Sequence, residues 1–396
     1  MVSKIYKIVC TLFCAFFIFS CMSHGNTVAV DDDYSDTEPE VADISDSETD
    51  NDDSSETDVR PYEDADFIED YDYVDEDADA ESDEDFDVST DEDMDSTGDD
   101  FDIVDDADLI EETDDFDGDS VQIRIVAGNI TSGNNQSYDP GHGIRIFQAL
   151  KPDIALVQEM NYGSNTSSDY KNFAQKIVGT NYYAVDDADY DIPNGVVSKY
   201  PITSHGYWKD PNIDNRALMW AVVDIPGEKD VFAVSVHLHT DPASDQVKAA
   251  QVIVDEIGKL ESSNPGRYYY VVGGDFNGDS AVSSNGFGKN NTFYISGPDP
   301  VDEEDNCNTN RNRNKQYDFV LADYPLHEFQ IPVVYYSSKD PEKTKIFENG
   351  LVFDTRVYEK KESELNEYFS PAQLNDSGAS SMQHMAVVKD FLIELK

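Results

Sequence analysis

The chain has 396 residues and a formal net charge of −57, and this charge is distributed unevenly. Residues 1–120 contain 45 acidic and three basic residues, whereas residues 121–396 contain 39 acidic and 24 basic residues. Binding to nucleic acid through a positively charged coat is excluded, because it requires Lys and Arg side chains to displace counterions from the phosphates. A protein with several membrane spans is also excluded, because no apolar run after the N-terminus approaches the roughly 20 residues that a span needs.

The N-terminus has the pattern of an export signal. Two lysines precede an uncharged stretch over residues 8–20, which has the length of a signal-peptide core and is short for a membrane-spanning helix. The segment 18–21 resembles the lipobox of bacterial lipoproteins and implies a signal peptide over 1–20, lipidation of Cys21 and a membrane anchor in the cell envelope. No Asp follows Cys21, so the outer membrane or cell surface is expected rather than the inner membrane. An ordinary secretory signal or a membrane-anchored N-terminus is the alternative.

Residues 21–120 are predicted to be a disordered acidic linker. They consist mainly of Asp, Glu, Ser and Thr, and their few aromatic residues follow no period. Such a segment cannot bury enough apolar surface to offset the entropy of ordering, and its like charges repel one another. We expect a solvated spacer between the lipid anchor and the domain. A tail that mimics nucleic acid and competes for an active site is the alternative.

The composition changes at Val121, and apolar periodicity predicts regular elements from there to the C-terminus. A strand is predicted at 122–129 and a short helix at 144–150. Further strands are predicted at 153–159, 194–199, 203–208, 218–225, 231–238, 268–274, 317–322 and 385–394. A long helix is predicted at 242–261, where apolar residues keep helical spacing. Many strands with few helices favour a layered α/β sandwich over a barrel of eight βα units.

Several predicted strands begin or end at polar residues that can take part in catalysis. These residues are Asn129, Glu159, His237, Asp275, Asn277, Asp318 and His384. Converging strand ends build active sites on a rigid scaffold, so we expect these side chains to meet. Carboxylate and amide oxygens favour Mg²⁺, Mn²⁺ or Ca²⁺ over zinc, and histidines paired with acids can exchange protons with a substrate. The predicted chemistry is therefore metal-assisted phosphate transfer.

Seven short motifs within this domain occur in a characteristic order. They are Gly128-Asn129-Ile130, Val157-Gln158-Glu159, the segment 194–202, Val236-His237-Leu238, Gly274-Asp275-Phe276-Asn277, Tyr317-Asp318-Phe319 and Gln383-His384. Together they resemble the endonuclease/exonuclease/phosphatase superfamily, and specifically a DNase I-like domain over residues 121–396. The resemblance implies a hydrolase of phosphate esters with an α/β fold, a four-layer sandwich in which two mixed β-sheets pack face to face and are flanked by helices.

The resemblance also implies a metal site and a phosphate site. A divalent cation, Mg²⁺ or alternatively Mn²⁺ or Ca²⁺, would be held by Glu159 with Asn129 and Asp275. Asp275 and Asn277 would lie around the scissile phosphate. Arg216 matches a phosphate-binding arginine of the family, and its planar fork suits two phosphate oxygens.

The same resemblance implies the acid–base groups, and the sequence departs from the family pattern at two positions. His384, oriented by Asp318, would exchange a proton with the attacking water, and His237 would stabilise charge or protonate the leaving oxygen. Gln383 stands where the family usually has an Asp that helps to hold metal, so the number of metal ions stays open. Asn194, expected at the substrate, stands where an acid is frequent. It can orient His237 but cannot raise its basicity as a carboxylate would.

The substrate is predicted from the long segment 281–316. This segment ends with Arg311, Arg313 and Lys315 interleaved with asparagines, a pattern suited to contacts with a phosphate backbone. We therefore expect an exported, monomeric nuclease whose partner is a nucleic acid substrate, DNA or RNA. A phospholipid hydrolase similar to the sphingomyelinases, or an inositol-phosphate hydrolase, is the first alternative, because one fold serves several substrates. A non-catalytic surface protein that keeps the fold and binds a partner is the second, and Gln383 favours it.

Overall fold

The computed structural model describes residues 119–129, 140–186 and 190–395. The predicted signal peptide, Cys21 and the acidic segment through residue 118 lie outside these ranges. Among the described residues, no helix combines the length and the apolar character that a membrane crossing requires.

Regular elements alternate along the described chain, with strands predominating. The strands are β1 (Ser120–Gly128), β2 (Ile154–Val157), β3 (Tyr182–Val185), β4 (Gly195–Ser198), β5 (Ile202–Trp208), β6 (Leu218–Val223), β7 (Asp230–His237), β8 (Tyr268–Asp275), β9 (Asp318–Ala322), β10 (Gln330–Ile331), β11 (Val333–Tyr336), β12 (Thr344–Phe347), β13 (Leu351–Phe353) and β14 (Ala386–Glu394). The helices are α1 (His142–Leu150), α2 (Ser167–Val178), α3 (Ala243–Ser263), α4 (Tyr324–His327) and α5 (Glu362–Tyr368). Short 3-10 helices occur at Lys289–Asn291 and Thr355–Tyr358.

The strands form two mixed sheets and a separate two-stranded ribbon. The larger sheet has the order β10-β14-β1-β2-β4-β3, and β13 also pairs with β14. Its strands β1 and β2 are parallel, whereas β1 pairs antiparallel with β14. The smaller sheet has the order β5-β6-β7-β8-β9, in which β7 and β8 are parallel and the other neighbours antiparallel. The ribbon consists of β11 and β12.

The two sheets pack face to face through apolar side chains, and helices cover their outer faces. Leu156 and Ala127 of the larger sheet approach Gly273 of the smaller one so closely that a side chain there would meet them. All four residues of β2 are buried, as a strand covered on both faces requires. On the outer side of the smaller sheet, Ile253 and Ile257 of α3 join the apolar cluster of that face. Helices α1 and α2 pack against the larger sheet.

This arrangement confirms the predicted four-layer α/β sandwich. The predicted elements are present with boundaries that differ by at most two residues, and the long helix corresponds to α3. Helix α2 was missed, although a capping box between Thr166 and Asp169 marks its start. The short strands β3 and β10–β13 were also missed, because segments of two to four residues carry too little periodicity to identify.

The strand registers bring the polar strand ends to one edge of the two sheets. Strands β1 and β2 are parallel and in register, so Asn129 and Glu159, which follow them, lie at the same edge. In the smaller sheet, His237 at the end of β7 pairs with Asp275 at the end of β8. Asp275 in turn pairs with Asp318 at the start of the antiparallel β9. The strand registers therefore bring together five of the site residues, which are distant in sequence.

Gly274 allows the end of β8 to lie against its neighbours. Its φ is +135°, and a Cβ atom at this position would lie 2.1 Å from the carbonyl oxygen of Val236 and 2.6 Å from Gln158 Nε2. A residue with a side chain would meet both the backbone of β7 and the other sheet, so the position requires glycine. This close approach fixes the position of the adjacent Asp275.

Gly274→Ala is expected to lower the free energy of unfolding by roughly 2–4 kcal/mol, because the methyl group meets backbone in a conformation that L side chains rarely adopt. Gly258→Ala in α3 is the matched control, since its Cβ meets no atom within 4 Å. Alanine at this exposed helical position should raise the free energy of unfolding by about 0.5–1 kcal/mol. Urea unfolding measures both variants. A Gly274→Ala variant as stable as the wild type would contradict the proposed packing.

Candidate active site

Asn129 joins two carboxylates at the centre of the cluster. Its Nδ2 donates to Glu159 Oε1 at 3.1 Å and to Asp275 Oδ2 at 3.0 Å. Asn129 and Asp275 are each 1% exposed and Glu159 is 9% exposed. Among the described residues, Asn129 Oδ1 has no hydrogen-bond partner. The amide therefore holds two acidic oxygens side by side and leaves one further buried oxygen without a donor.

His384 connects Asp275 to a third carboxylate, that of Asp318. Its Nδ1 lies 2.8 Å from Asp318 Oδ2, and its Nε2 lies 3.3 Å from Asp275 Oδ2. The potential ligand atoms of Asp275, Asp318 and His384 lie within 4.8 Å of one another, so the three could hold a metal ion. Gln383, directly before this histidine, is exposed, and its amide lies outside the buried cluster.

His237 lies beside both metal-site carboxylates predicted from the sequence. Its Nε2 is 3.4 Å from Asp275 Oδ2, and its Nδ1 is 3.7 Å from Glu159 Oε1. His239, two residues later, lies elsewhere, with Nδ1 3.6 Å from Asp245 Oδ2 in α3. The structure therefore places His237 in the cluster and His239 outside it, against helix α3.

Burial and neighbouring charges move the pKa values of the two histidines in opposite directions. Burial lowers the pKa of His237 to about 3, although Asp275 opposes the shift. Burial would also lower the pKa of His384, but Asp275 and Asp318 outweigh it and raise the pKa to about 10. At neutral pH the first histidine is neutral and the second is protonated. Burial raises the pKa of Glu159, and His384 and His237 together lower that of Asp275 against the effect of its burial.

The carboxylates of the cluster outnumber its cationic side chains. Glu159, Asp275 and Asp318 face protonated His384 and Arg216, while His237 is neutral. Burial raises the pKa of Glu159 and raises that of Asp318 to about 6, because a buried negative charge is unfavourable without compensation. A bound cation would supply that compensation.

The residues present fit a divalent cation. The oxygens of Glu159 and Asp275 are hard ligands of the kind that Mg²⁺, Mn²⁺ and Ca²⁺ prefer. Asn129 faces both carboxylates with Nδ2, and a 180° turn of this amide would bring its buried oxygen, which has no donor among the described residues, to the same point. His384 fits less well as a ligand, because a protonated imidazole has no lone pair to offer. We therefore favour the oxygen-rich side of the cluster over the side that contains His384.

Arg216 lies against the end of β7. Its Nε donates to the carbonyl oxygen of His237 at 2.6 Å, and its Nη2 donates to that of Leu238 at 2.9 Å. Its Nη1 donates to Asn215 Oδ1 at 3.0 Å. Three of the five N–H groups of the guanidinium are used in these bonds. A contact between Arg216 and substrate phosphate stays a prediction.

Two amides predicted for the site support its backbone. Asn194 is fully buried, and its Nδ2 donates to the carbonyl oxygen of Ala217 at 2.7 Å. Asn277 has a φ of +55°; its backbone N–H donates to Asp275 Oδ1 at 2.8 Å and its Nδ2 to the carbonyl oxygen of Leu238 at 2.8 Å. Asn277 thus borders the cluster directly, whereas Asn194 supports the segment that carries the arginine. Their contacts with substrate stay predictions.

The two arginines at the end of the segment 281–316 bind groups within the protein, contrary to the prediction that they contact phosphate. Arg313 forms ion pairs with Asp302 and Asp354, and Arg311 donates to backbone carbonyl groups of a later segment. The interpretation of these two arginines as phosphate contacts is therefore wrong, because internal acceptors occupy them. Lys315 remains exposed, with its Nζ 5.9 Å from the centre of the Tyr317 ring.

Sequence reasoning missed two groups that support the site. Buried Thr309 accepts a hydrogen bond from the backbone N–H of Asp318 at 2.9 Å. Gln158 Nε2 donates to Ser235 Oγ at 2.9 Å and so links the two sheets beside the cluster. The available signal was a polar residue inside an apolar strand for Ser235 and directly after one for Gln158, whereas nothing in the sequence around Thr309 distinguishes it from other loop residues.

The profile of the endonuclease/exonuclease/phosphatase family matches residues 116–337, which is more than half of the chain. The chain belongs to this family and is a hydrolase that acts on phosphoester bonds. A search of curated proteins gives no match. The matched range ends before His384, whose place in the cluster comes from the structure.

Solved structures of low sequence identity resemble the described fold. TDP2 from Caenorhabditis elegans is 16% identical, with 68% of this chain and 75% of that chain covered and a TM-score of 0.41. A mannosyl-6-phosphatase from Bacteroides thetaiotaomicron is 12% identical, with 68% and 99% covered and a TM-score of 0.40. A protein of the same family from Beutenbergia cavernae is 16% identical, with 69% and 72% covered and a TM-score of 0.42. Likeness at this level assigns no substrate.

The lowered pKa of His237 predicts a pH dependence of stability in EDTA. The unfolded chain binds a proton at this histidine near pH 6.5, whereas the folded chain does so near pH 3. The contribution of neutral His237 to the free energy of unfolding is therefore fully present above pH 6.5 and is lost as the pH falls towards 3. Relative to His237→Asn, the wild type should lose up to about 1.4 kcal/mol per pH unit below that point.

Urea unfolding at about pH 7 and about pH 5 measures this difference in the free energy of unfolding. The change of that free energy per pH unit gives the number of protons taken up on unfolding. His205→Asn, at an exposed position of β5, is the matched control for losing a histidine. If the wild type and His237→Asn lost stability in parallel on acidification, His237 would be protonated in the folded chain.

Proposed function

We propose that the chain hydrolyses phosphodiester bonds by attack of water, with one divalent cation held by Glu159, Asp275 and Asn129. The observation that carries the proposal is the buried cluster in which Asp275 Oδ2 lies within 3.4 Å of His237 and His384. Such a cluster combines a proton acceptor, a proton donor and cation ligands around one point. When bound, the cation would polarise a phosphoryl oxygen and stabilise the charge that develops on it.

Asp275 and His384 can move the protons of the reaction. As the oxygen of water forms its bond to phosphorus, Asp275 accepts a proton from that water. As the bond to the leaving oxygen breaks, protonated His384 gives its proton to that oxygen. The 3.3 Å between His384 Nε2 and Asp275 Oδ2 then allows the proton on the carboxylate to return to the imidazole. Both groups are restored, and Asp318 keeps the imidazole oriented.

His237 and Arg216 act on the phosphoryl oxygens in this proposal. A neutral imidazole has one N–H, so His237 donates a hydrogen bond rather than a proton. This supports the predicted stabilisation of charge over protonation of the leaving oxygen. Arg216 adds positive charge at the end of β7 and, through its remaining N–H groups, can bind a phosphate oxygen.

Nucleic acid is the substrate that we propose first. The support is the exposed Lys315 beside Tyr317, whose ring centre lies 5.9 Å from that of His384, together with Arg216 at the cluster. An aromatic ring next to a cationic side chain suits a base and its phosphate. With about two phosphate contacts, nuclease activity should depend only weakly on salt concentration.

A small phosphorylated headgroup, of a phospholipid or an inositol phosphate, is the second candidate. The observation that favours it is the internal pairing of Arg311 and Arg313, which leaves fewer cations for a long phosphate backbone. The acidic balance of residues 121–396 has the same effect, because it repels a polyanion. The remaining alternative is a non-catalytic binding protein. The buried cluster of Asn129, Glu159, Asp275, Asp318 and His384 opposes it.

A substrate panel with and without EDTA tests these proposals. Plasmid DNA, RNA, sphingomyelin, phosphoinositides and a chromogenic phosphodiester are incubated with residues 21–396. We expect hydrolysis of at least one of them in Mg²⁺ or Mn²⁺, loss of activity in EDTA and recovery when the cation is restored. Undiminished hydrolysis in EDTA would contradict the assigned mechanism.

The acid–base assignment predicts a contrast among three histidine variants. His384→Ala and His237→Ala should each lower kcat by roughly 10²-fold or more, the scale of a lost proton-transfer or charge-stabilising group. His239→Ala is the matched control and should keep kcat near the wild-type value, because this ring lies beside α3. Steady-state kinetics in saturating Mg²⁺ measure all three. If His239→Ala were the most damaging change, the wrong histidine would have been assigned.

We propose an envelope location from the N-terminal sequence. Lipid at Cys21 would anchor the protein in the outer membrane or at the cell surface, and the acidic linker 21–120 would hold the domain away from the membrane. The lipobox resemblance and the charge of the linker support this proposal. Cell fractionation of Cys21→Ser tests it, since the variant should leave the membrane fraction or keep its signal peptide; unchanged, processed protein in that fraction would contradict the anchor.

A further inference from the structure

The guanidinium of Arg311 is surrounded by backbone carbonyl groups of the segment 378–382. The acceptors are the carbonyl oxygens of Ala379 at 2.6 Å, Met382 at 2.5 Å, Ser380 at 3.2 Å and Gly378 at 3.3 Å. Nη1 faces the first three of these oxygens and, with two N–H groups, bonds most closely to those of Ala379 and Met382, while Nη2 faces that of Gly378. This segment leads directly into His384.

The segment 376–384 contains no helix or strand. Its carbonyl groups therefore lack the ladder of hydrogen bonds that fixes a regular element, and they need other donors. Arg311 supplies such donors from another part of the chain. Residues 376 and 377 are fixed by the pairs of Asp376 with His142 and Arg145 and by hydrogen bonds between Ser377 and Thr355. From 378 to 382 the carbonyl groups depend on Arg311 and a few turn hydrogen bonds.

The backbone beside Arg311 is joined to His384 and to Asp318, the carboxylate that orients its imidazole. Asn310 forms an antiparallel bridge with His384. The N–H of Met385 donates to the carbonyl oxygen of Thr309 at 2.7 Å, and the Thr309 hydroxyl oxygen accepts from the N–H of Asp318 at 2.9 Å. A displacement of this loop would therefore move His384 relative to its partner carboxylate.

Other charged residues fix the loop on its far side. Arg313 pairs with Asp302 and Asp354. Arg356, which also pairs with Asp354, donates through Nη1 to the carbonyl oxygen of Arg311 at 2.9 Å. The loop is therefore a rigid support from which Arg311 reaches the segment before His384.

We propose that Arg311 is a positioning residue that keeps His384 between Asp318 and Asp275. The inference rests on the proposed function, in which His384 gives the proton to the leaving oxygen. Catalytic groups must be held within about 0.5 Å of their working geometry. Arg311 therefore acts on the reaction through the backbone of the segment 378–382 and makes no contact with substrate.

Kinetics of two substitutions test the proposal. With a chromogenic phosphodiester and saturating Mg²⁺, Arg311→Met should lower kcat by roughly 10–100-fold, the effect of misplacing a catalytic group, and leave KM almost unchanged. Arg311→Lys should recover part of the lost kcat, because one ammonium serves some of the carbonyl groups. Arg267→Met is the matched control, at an exposed position before β8 and so at the opposite end of that strand from Asp275.

A double-mutant cycle separates positioning from substrate contact. In the His384→Ala background, Arg311→Met should lower kcat no further, because the group that it positions is absent. A rise in KM on Arg311→Met in both backgrounds would instead show a contact with substrate and would overturn the proposal.

Hydrogen exchange of residues 376–385 provides a readout that needs no activity. Exchange should be faster in Arg311→Met than in the wild type and in Arg267→Met, with Arg311→Lys between them. Unchanged exchange in Arg311→Met would overturn the proposal. If the wild type hydrolysed none of the phosphate esters tested, the proposed function would fail, and the exchange would still decide whether Arg311 holds this segment.

Discussion

The burial of the Asp275 carboxylate is the constraint on which the rest of the site depends. A buried negative charge is unfavourable unless neighbouring groups compensate it, and Asn129, His237 and His384 all approach the same oxygen. These neighbours come from both sheets and from the last irregular segment. Keeping the charge compensated therefore requires the two sheets and that segment to hold one arrangement, so the same contacts serve folding and catalysis.

The scaffold meets this requirement by two different means. Regular structure positions most of the cluster, since parallel strands in register place their ends at one edge and Gly274 allows the close approach beside Asp275. His384 follows an irregular segment, and the arginine of a separate loop supplies the hydrogen bonds that a helix or strand would have provided. The two members of the acid–base pair thus depend on different kinds of support.

The sequence was sufficient for the layers of the fold and for the members of the cluster, because a polar residue directly after an apolar strand can be placed without knowing any tertiary contact. Asn129, Glu159 and Asp275 were found in this way. The roles of Arg311 and Arg313 could not be found, because their partners lie far away in the chain and include backbone carbonyl groups, which leave no trace in residue identity. The opposite charge states of the two histidines likewise depend on burial and neighbours, which a motif does not reveal.

The central claim is that the buried carboxylates of the cluster bind one divalent cation. Calorimetric titration of the metal-free protein with Mn²⁺ tests it most directly, with Glu362→Gln at an exposed position of α5 as the matched control. The account predicts one ion per domain at the cluster, with this binding retained in Glu362→Gln and lost or greatly weakened in Glu159→Gln. Binding of equal strength and stoichiometry in Glu159→Gln, or no binding by the wild type, would contradict it.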